Sequence, residues 1–373
     1  MSKELLEQVP RISPTKSKVV VAMSGGVDSS TVAAILAHQG HEVIGITLQL
    51  YDYGLAAGKK GACCAGIDVY DAQMAAQKIG IPHYVLNYES VFKEAVITDF
   101  VDGYLRGETP IPCIRCNQKV KFKDLFKFAK DLGADCLATG HYVRRTELNG
   151  KAQMHTGAEE NKDQSYFLFA TTQEQLDYLR FPLGGFNKQQ TRELARYFGL
   201  EIADKPDSQD ICFVPNGSYA AVIEKLKPGA IEPGNIVTKD GTVIGRHDGV
   251  INYTIGQRRG MGLASTEAYY VLKINPEKHE VVVGFKADLG GTELTISELN
   301  WIGDQELSES GINCIVKLRS QIPPIHAQVY PISATRAKVV LSEPYHAITP
   351  GQACVMYNNT RMLGGGWIER SAA

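Results

Sequence analysis
Short apolar runs alternate with helix-spaced apolar positions through the first half of the chain. Val19-Val20-Val21-Ala22-Met23 is apolar throughout and of strand length, and residues 43–50, 83–87 and 135–139 repeat that texture. Between them, apolar residues recur at helical spacing over 31–39, 68–79, 90–105 and 120–132; Gly40, Gly80 and Gly133 stand where three of these helices end. A further helix is expected over 188–198. Strands alternating with helices of this length predict an α/β fold with a doubly wound parallel sheet. Such sheets bind ligands beyond the carboxyl ends of their strands.

The pattern changes after Phe213. Pro215, Gly217, Pro228, Gly229, Pro233 and Gly234 break up the segment that follows, which reads as a small α+β module. From Leu294 the chain becomes a series of short strands, at 294–302, 314–319, 326–332, 337–342, 353–357 and 363–368, separated by turn residues. This favours a small antiparallel barrel or sandwich. The N-terminal stretch is polar, with Glu4, Glu7, Pro10 and Pro14. The expected organisation is a disordered lead over 1–17, an α/β catalytic domain over 18–214, a central α+β domain over 215–286 and a C-terminal β-barrel over 287–373.

Composition adds limits. The 373 residues include 39 Lys+Arg and 41 Asp+Glu, a formal charge of −2. A protein that grips nucleic acid by overall basicity is excluded, whereas local basic patches are not. No run approaches the roughly 18 apolar residues of a membrane span, and the N-terminus lacks a secretory core. A cytoplasmic protein with no membrane partner is expected. Its 8 cysteines should then be mostly reduced, so those that cluster are candidates for chemistry.

The segment Ser24-Gly25-Gly26-Val27-Asp28-Ser29-Ser30 joins the first strand to the first helix. Glycines let the backbone turn tightly and aim the amides of the helix start at an anion. Ser29 and Ser30 can add hydroxyl donors, and Asp28 can hold a magnesium ion or orient phosphates. A lone Gly-Gly would mark only a strand-to-helix turn; the full string after a buried strand points to phosphate binding. It has no lysine of the Gly-x-x-x-x-Gly-Lys-Ser/Thr kind, which disfavours γ-phosphoryl transfer.

The loop resembles the PP-loop of the ATP pyrophosphatases, which cleave ATP between the α and β phosphates and adenylate a substrate oxygen. Further motifs narrow the resemblance: 109–117 (TPIPCIRCN), 139–142 (TGHY), 161–168 (NKDQSYFL), 207–213 (DSQDICF), 256–260 (GQRRG) and 349–352 (TPGQ). In this order, and over nearly the whole chain from Lys18, they are similar to the tRNA-specific 2-thiouridylases. The resemblance implies ATP-dependent 2-thiolation of the wobble uridine of tRNA: uracil O2 is adenylated and sulfur from a cysteine persulfide displaces AMP. It implies ATP and Mg2+ as cofactors, the tRNA anticodon loop as partner, and a persulfide donor such as a cysteine desulfurase or a relay protein. Ala22, Met23, Ser24, Gly25, Gly26, Val27, Asp28 and Ser29 would surround ATP, with Leu48 at the adenine and Gly140 lining the site. Ile111, Pro112, Cys113, His141, Lys162, Asp163, Gln164, Arg319, Ser320 and Gln352 would meet tRNA. By the same resemblance Cys212 carries the persulfide, and Cys116 is the nucleophile that closes a disulfide bond with it.

The residues themselves bear on these roles. From 111 to 130 stand six basic residues (Arg115, Lys119, Lys121, Lys123, Lys127, Lys130) and one acidic, Asp124. This positive potential should favour a Cys116 thiolate. Cys212 alone would read as a small buried hydrophobe between Ile211 and Phe213. Cys113-Ile-Arg-Cys116 admits several readings: half a zinc site, for which the adjacent Cys63-Cys64 makes a poor second pair; a dithiol redox pair; or, with Cys212, three ligands to an iron–sulfur cluster, which is not favoured. Cys136, Cys314 and Cys354 fit apolar strand patterns as packing residues. Two basic surfaces are expected, Lys123, Lys127 and Lys130 on one helix face, and Lys317, Arg319, Arg336 and Lys338 in the barrel. Two other readings stand beside this one: a different PP-loop ligase, and a catalytically silent RNA-binding protein.

Overall fold
The computed structural model describes residues 2–51, 64–207, 211–214, 218–346 and 348–370. The chain divides into two compact units, one of 1–96, 113–209 and 360–362, the other of 97–112, 210–359 and 363–373.

In the first unit, β1 (Lys18–Ala22), β2 (Glu42–Gln49), β3 (His83–Asn87), β4 (Cys136–Ala138) and β7 (Leu179–Arg180) form a parallel sheet in the order β3-β2-β1-β4-β7. Val19, Val20 and Val21 of β1 are wholly buried, as expected of a central parallel strand covered on both faces. Helices α2 (Val27–His38) and α3 (Cys64–Ile79) make the crossovers from β1 to β2 and from β2 to β3. The expected doubly wound sheet is present. Between β4 and β7 lies a hairpin that the apolar pattern does not predict, β5 (Val143–Leu148) and β6 (Lys151–Thr156). Its turn is Asn149-Gly150, both at positive φ (52° and 76°), the geometry that a two-residue hairpin turn selects.

The N-terminal lead is not disordered. Ser2–Gln8 forms a helix, α1, and Leu5 and Val9 are buried in the core of the first unit. One helical turn separates these apolar residues, so they share a face that the helix lays against Lys188–Tyr197 (α6). Within the stretch 18–214, residues 97–112 pack with the second unit. Tyr104 stacks on Tyr219 at 5.5 Å, Lys227 pairs with Asp102, and Gln352 donates to Thr109 O at 2.7 Å.

The second unit holds a four-stranded sheet, β8 (Gly234–Thr238), β9 (Val243–His247), β10 (Tyr270–Asn275) and β11 (Glu280–Gly284), in the order β10-β11-β8-β9. The barrel follows, with β12 (Gly291–Trp301), β13 (Ile312–Lys317), β14 (Ile325–Ser333), β15 (Arg336–Tyr345), β16 (Ala353–Asn358) and β17 (Arg361–Ile368). They run β12-β15-β14-β13-β16-β17, and pairing of β12 with β17 closes the ring. Alternate residues Val316, Val329, Val339 and Met356 point inward and are fully buried. Closure removes the free edges that an open sheet would expose. Among the described residues no helix is long and apolar enough to cross a membrane.

Leu5→Ala is expected to lower the stability of the first unit by about 2 kcal/mol, the low end for a buried leucine because the helix is terminal. Urea unfolding would show this as an earlier midpoint; an unchanged midpoint would mean that α1 does not pack.

Candidate active site
Strand β1 ends at Ala22, and Met23 N donates to Ile46 O at 2.8 Å, which ties the start of the loop to β2. Gly25 turns the chain at φ +72°, where a Cβ would meet Asp68 O at 2.0 Å. Gly26, in extended conformation, precedes the first turn of α2, which begins at Val27. Ser24 N donates to Ser29 Oγ at 3.1 Å, and the two serine hydroxyls lie 3.3 Å apart. Gly140, following β4, presses on this turn from the other side; a Cβ there would lie 2.8 Å from Ser29 N. The loop therefore stands at the carboxyl end of β1, where the strand order reverses, with helix-start amides converging on one spot. Leu48 lies opposite Leu86 near the end of β2. Both helix-start serines are buried, Ser29 at 4% and Ser30 at 0% exposure, and the Ser29 hydroxyl is the one bonded into the loop.

Sequence reasoning missed the charges that brace this loop. Lys188, 13% exposed, donates to both oxygens of Asp28 at 2.8 and 2.9 Å and pairs with Asp207 Oδ1 at 2.8 Å. Tyr142 Oη donates to Asp28 at 2.8 Å. Asp207 also accepts from Lys162 at 2.8 Å and Arg192 at 3.2 Å. Burial pushes the Asp207 carboxyl up, but the bonds from Lys162 and Lys188 outweigh it and hold the group at about 2. On the other flank Lys205 donates to Gly25 O at 3.0 Å and pairs with Asp68 and Asp71. The sequence signal available for Lys188 was its place behind Asn187, which caps α6 through a reciprocal bond with Gln190; the cap fixes where that lysine starts.

Cys116 ends a short helix, α4 (Pro112–Cys116), and the chain then widens into π-helical winding over Asn117–Leu125 before resuming as α5 (Phe126–Asp131). Such widened turns recur at functional sites. Cys116 is buried at 7% exposure, whereas Cys113, one turn earlier, is exposed. The Cys116 thiol titrates above its ordinary value: burial raises it, and the Lys121 ammonium opposes without prevailing. The expected thiolate-favouring potential is real but is the lesser effect. Lys121 acts on Cys113 and His141 as well. Burial first, then Lys121, push His141 down to about 3, so its imidazole is neutral; Nδ1 lies 2.9 Å from Thr139 Oγ1, and the ring meets Phe122 edge-on at 5.8 Å.

Cys212 belongs to the second unit and is exposed, while its neighbours Phe213 and Val214 are buried. Phe213 packs edge-on against Phe100 at 5.1 Å, so the aromatic anchors the turn and the thiol stays outside. The reading of Cys212 as a buried hydrophobe is thereby overturned. Cys113, Cys116, Cys136, Cys212, Cys314 and Cys354 form no disulfide. Cys136, Cys314 and Cys354 are buried within strands, as expected. Ser208, Gln209, Asp210 and Cys63 lie outside the described residues. Among the described residues no three His, Cys, Asp or Glu side chains gather as a metal-holding group.

The residues expected at tRNA divide. Asp163 uses both carboxylate oxygens inside the fold, accepting from Gly157 N, Ser165 N and Ser165 Oγ, and Gln164 accepts from Tyr142 N at 2.8 Å. Lys162 is engaged by Asp207. Arg319 donates to Thr349 Oγ1 at 2.9 Å. Ser320 is half-buried just beyond β13, Ile111 is half-buried and Pro112 is buried. Lys123, Lys127 and Lys130 are all exposed on one side, over buried Phe122, Leu125 and Ala129. The barrel patch is weaker than expected. Arg336 pairs with Glu369 and Lys338 with Glu293, because strands outside 311–342 bring the acids that this segment lacks.

A parallel sheet whose switch point carries this serine–glycine loop, without a phosphate-transferring lysine in it, places the chain in the PP-loop ATP pyrophosphatase class. Family models match in series: "tRNA methyl transferase HUP domain" over 17–216, "tRNA methyl transferase PRC-barrel domain" over 223–285 and "Aminomethyltransferase beta-barrel domain" over 291–368. The tRNA-specific 2-thiouridylase MnmA of Dinoroseobacter shibae is 59% identical over 96% of this chain and 95% of its own. That of Rickettsia africae is 58% identical over 95% and 97%. The chain belongs to the tRNA-specific 2-thiouridylase family. Among solved structures, NMN synthetase from Francisella tularensis matches with a TM-score of 0.35 at 16% identity, over 56% of this chain and 74% of that one.

Two outcomes follow from the geometry. Gly140→Ala drives a methyl into Ser29 N and should weaken ATP binding at least tenfold by calorimetry, about 1.4 kcal/mol; Gly185→Ala, where a Cβ meets nothing within 4 Å, should leave it unchanged. Asp207 is held below its unfolded value, so its ion pairs add stability above about pH 4 that is lost as pH falls toward about 2. Acid unfolding of Asp207→Asn should therefore show a smaller loss of stability across that window than the parent.

Proposed function
We propose that this chain catalyses ATP-dependent 2-thiolation of the wobble uridine in the tRNA anticodon loop, releasing AMP and pyrophosphate. The observation that carries this reading is the continuity of the site. Gly140 packs on Asp28 and Ser29, and the next residue, His141, shares the Lys121 ammonium with Cys116. An anion cradle and a sulfur nucleophile thus occupy one compact unit.

ATP lies with its phosphates against the amides of Gly25–Ser29 and the hydroxyls of Ser24 and Ser29. Uracil O2 attacks the α-phosphorus and pyrophosphate leaves, which makes the former carbonyl oxygen a competent leaving group. Asp28 brings a carboxylate to the loop, and Mg2+ is ordinarily held by one or two carboxylates together with substrate phosphates. Both Asp28 oxygens already accept from Lys188 and one also from Tyr142, so Asp28 would hold a phosphate-bound Mg2+ only in exchange for part of that network. Mg2+, when bound, would offset phosphate charge. The outer sulfur of a persulfide on Cys212 then attacks C2, and AMP departs. The Cys116 thiolate attacks Cys212 Sγ; the bond from that sulfur to the base-bound sulfur breaks, sulfur stays on C2, and a Cys116–Cys212 disulfide remains for external thiols to reduce. His141, neutral, orients groups rather than taking the Cys116 proton.

Exposed Lys123 and Lys127 supply a local basic surface for RNA, and binding through phosphates weakens as salt rises. The persulfide comes from a cysteine desulfurase or a relay protein. A cycle that returns to free thiols suits the cytoplasm. The family-model descriptions name methyl transfer, but a loop for adenylation and an exposed Cys212 favour sulfur chemistry.

Cys116→Ser and Cys212→Ser should each cut 2-thiouridine by at least a hundredfold, measured by nucleoside mass spectrometry of tRNA incubated with ATP and a persulfide donor. Thiolation retained by both variants would overturn the assignment. tRNA-dependent pyrophosphate release by the parent chain separates the enzyme from a silent RNA-binding protein.

A further inference from the structure
We propose that Cys113 is a built-in resolving thiol, which takes the Cys116–Cys212 disulfide apart by passing it to a Cys113–Cys116 disulfide. The inference rests on the sulfur cycle proposed above. Three observations carry it. Cys113 and Cys116 stand three residues apart on α4, a spacing that puts two side chains on one helix face. Helix geometry sets the Cα atoms of such a pair about 5 Å apart, inside the usual Cα window of a disulfide, about 4.4–6.8 Å. Closing their Cβ atoms from about 5–6 Å to about 4 Å takes a local tightening of that turn. Their exposures are opposite: Cys116 is buried and Cys113 is open to solvent. Burial raises both thiols, the same Lys121 ammonium opposes it at each, and Cys113 adds to the rise at Cys116.

The opposite exposures pose a problem that the pairing solves. A buried Cys116 is sheltered for attack on a persulfide, yet in a disulfide it would be poorly reached by an external reductant. Cys113 gives that disulfide an outlet. Its thiolate attacks Cys116 Sγ, the Cys116–Cys212 bond breaks, and Cys212 leaves as a thiolate ready for another persulfide. The exchange moves no net electrons. An external dithiol then supplies two electrons and two protons to the Cys113–Cys116 disulfide through the exposed Cys113 sulfur. Lys121 stabilises whichever of the two sulfurs is the thiolate.

The test follows the disulfide after a single turnover. The full-length enzyme is loaded with persulfide, freed of donor and reductant, given tRNA and ATP, and quenched with an alkylating agent. Trypsin cuts after Arg115, so a Cys113–Cys116 bond joins two separate peptides that mass spectrometry identifies. Per mole of 2-thiouridine formed, the parent should carry the Cys113–Cys116 link with Cys212 alkylated, and Cys113→Ser should carry the Cys116–Cys212 link. A parent that holds the Cys116–Cys212 link with Cys113 alkylated overturns the proposal alone. 2-Thiouridine formed with no disulfide at Cys116 overturns both the proposal and the cycle beneath it.

Discussion

The Lys188 ammonium, set between Asp28 and Asp207, is the interaction on which the first unit's site depends. It joins three pieces of chain distant in sequence: the first turn of α2, the capped start of α6 and the segment that leads toward Cys212. Around it, two carboxylates face three cations, Lys188, Lys162 and Arg192, so the cluster carries one surplus positive charge. Placed beside a helix start that already favours anions, the surplus suits a polyphosphate. The absence of a lysine within the loop is therefore no absence of positive charge at it. The charge arrives from the next helices and leaves the loop itself free to follow the nucleotide closely.

The two reactive cysteines are held by opposite means. Cys116 is sheltered by packing and by the change from α to π winding that follows it, whereas Cys212 is kept outside because Phe213 takes the buried place beside it. This division fits the roles proposed above: a Cys212 persulfide received from another protein calls for exposure, and a Cys116 that acts only on its own partner is served by burial. The Lys121 ammonium opposes the effect of that burial without cancelling it.

Much of this architecture is legible in the apolar pattern, and the exceptions have particular causes. Strands β1, β2 and β4 read correctly because their apolar runs are buried, whereas β3 is an edge strand with Tyr84 exposed; the barrel strands read correctly because alternate residues face inward. The helix α1 escapes because its apolar face is only Leu5 and Val9, too short a pattern against a polar background. The β5–β6 hairpin escapes for the opposite reason. Asn149-Gly150 is a plain turn signal, but β5 is mostly exposed, as at Arg144 and Glu147, and the buried run of β6, Ala152, Gln153 and Met154, includes a polar residue rather than reading as apolar throughout. At the site, the loop is readable from residue types, whereas the roles expected of Cys116 and Cys212 come only from the resemblance, since Cys212 alone reads as a buried hydrophobe. Lys188, Tyr142 and Lys205 are not readable, because ion pairs between residues more than a hundred positions apart leave no local spacing to detect.

The same limit explains the barrel. Residues 311–342 contain no acid, and a linear reading makes them a basic surface. Strand pairing then sets β15 beside β12, which brings Glu293 to Lys338, and Glu369 follows β17 to meet Arg336. Exposed pairs of this kind contribute little stability, but they do remove charge from the face that would have met a phosphate backbone. Among the described residues Lys123 and Lys127 have no such ion-pair neighbours, and they lie on the elements that follow Cys116. For a chain of nearly zero net charge, a local basic row of this kind is what the RNA binding proposed above can use.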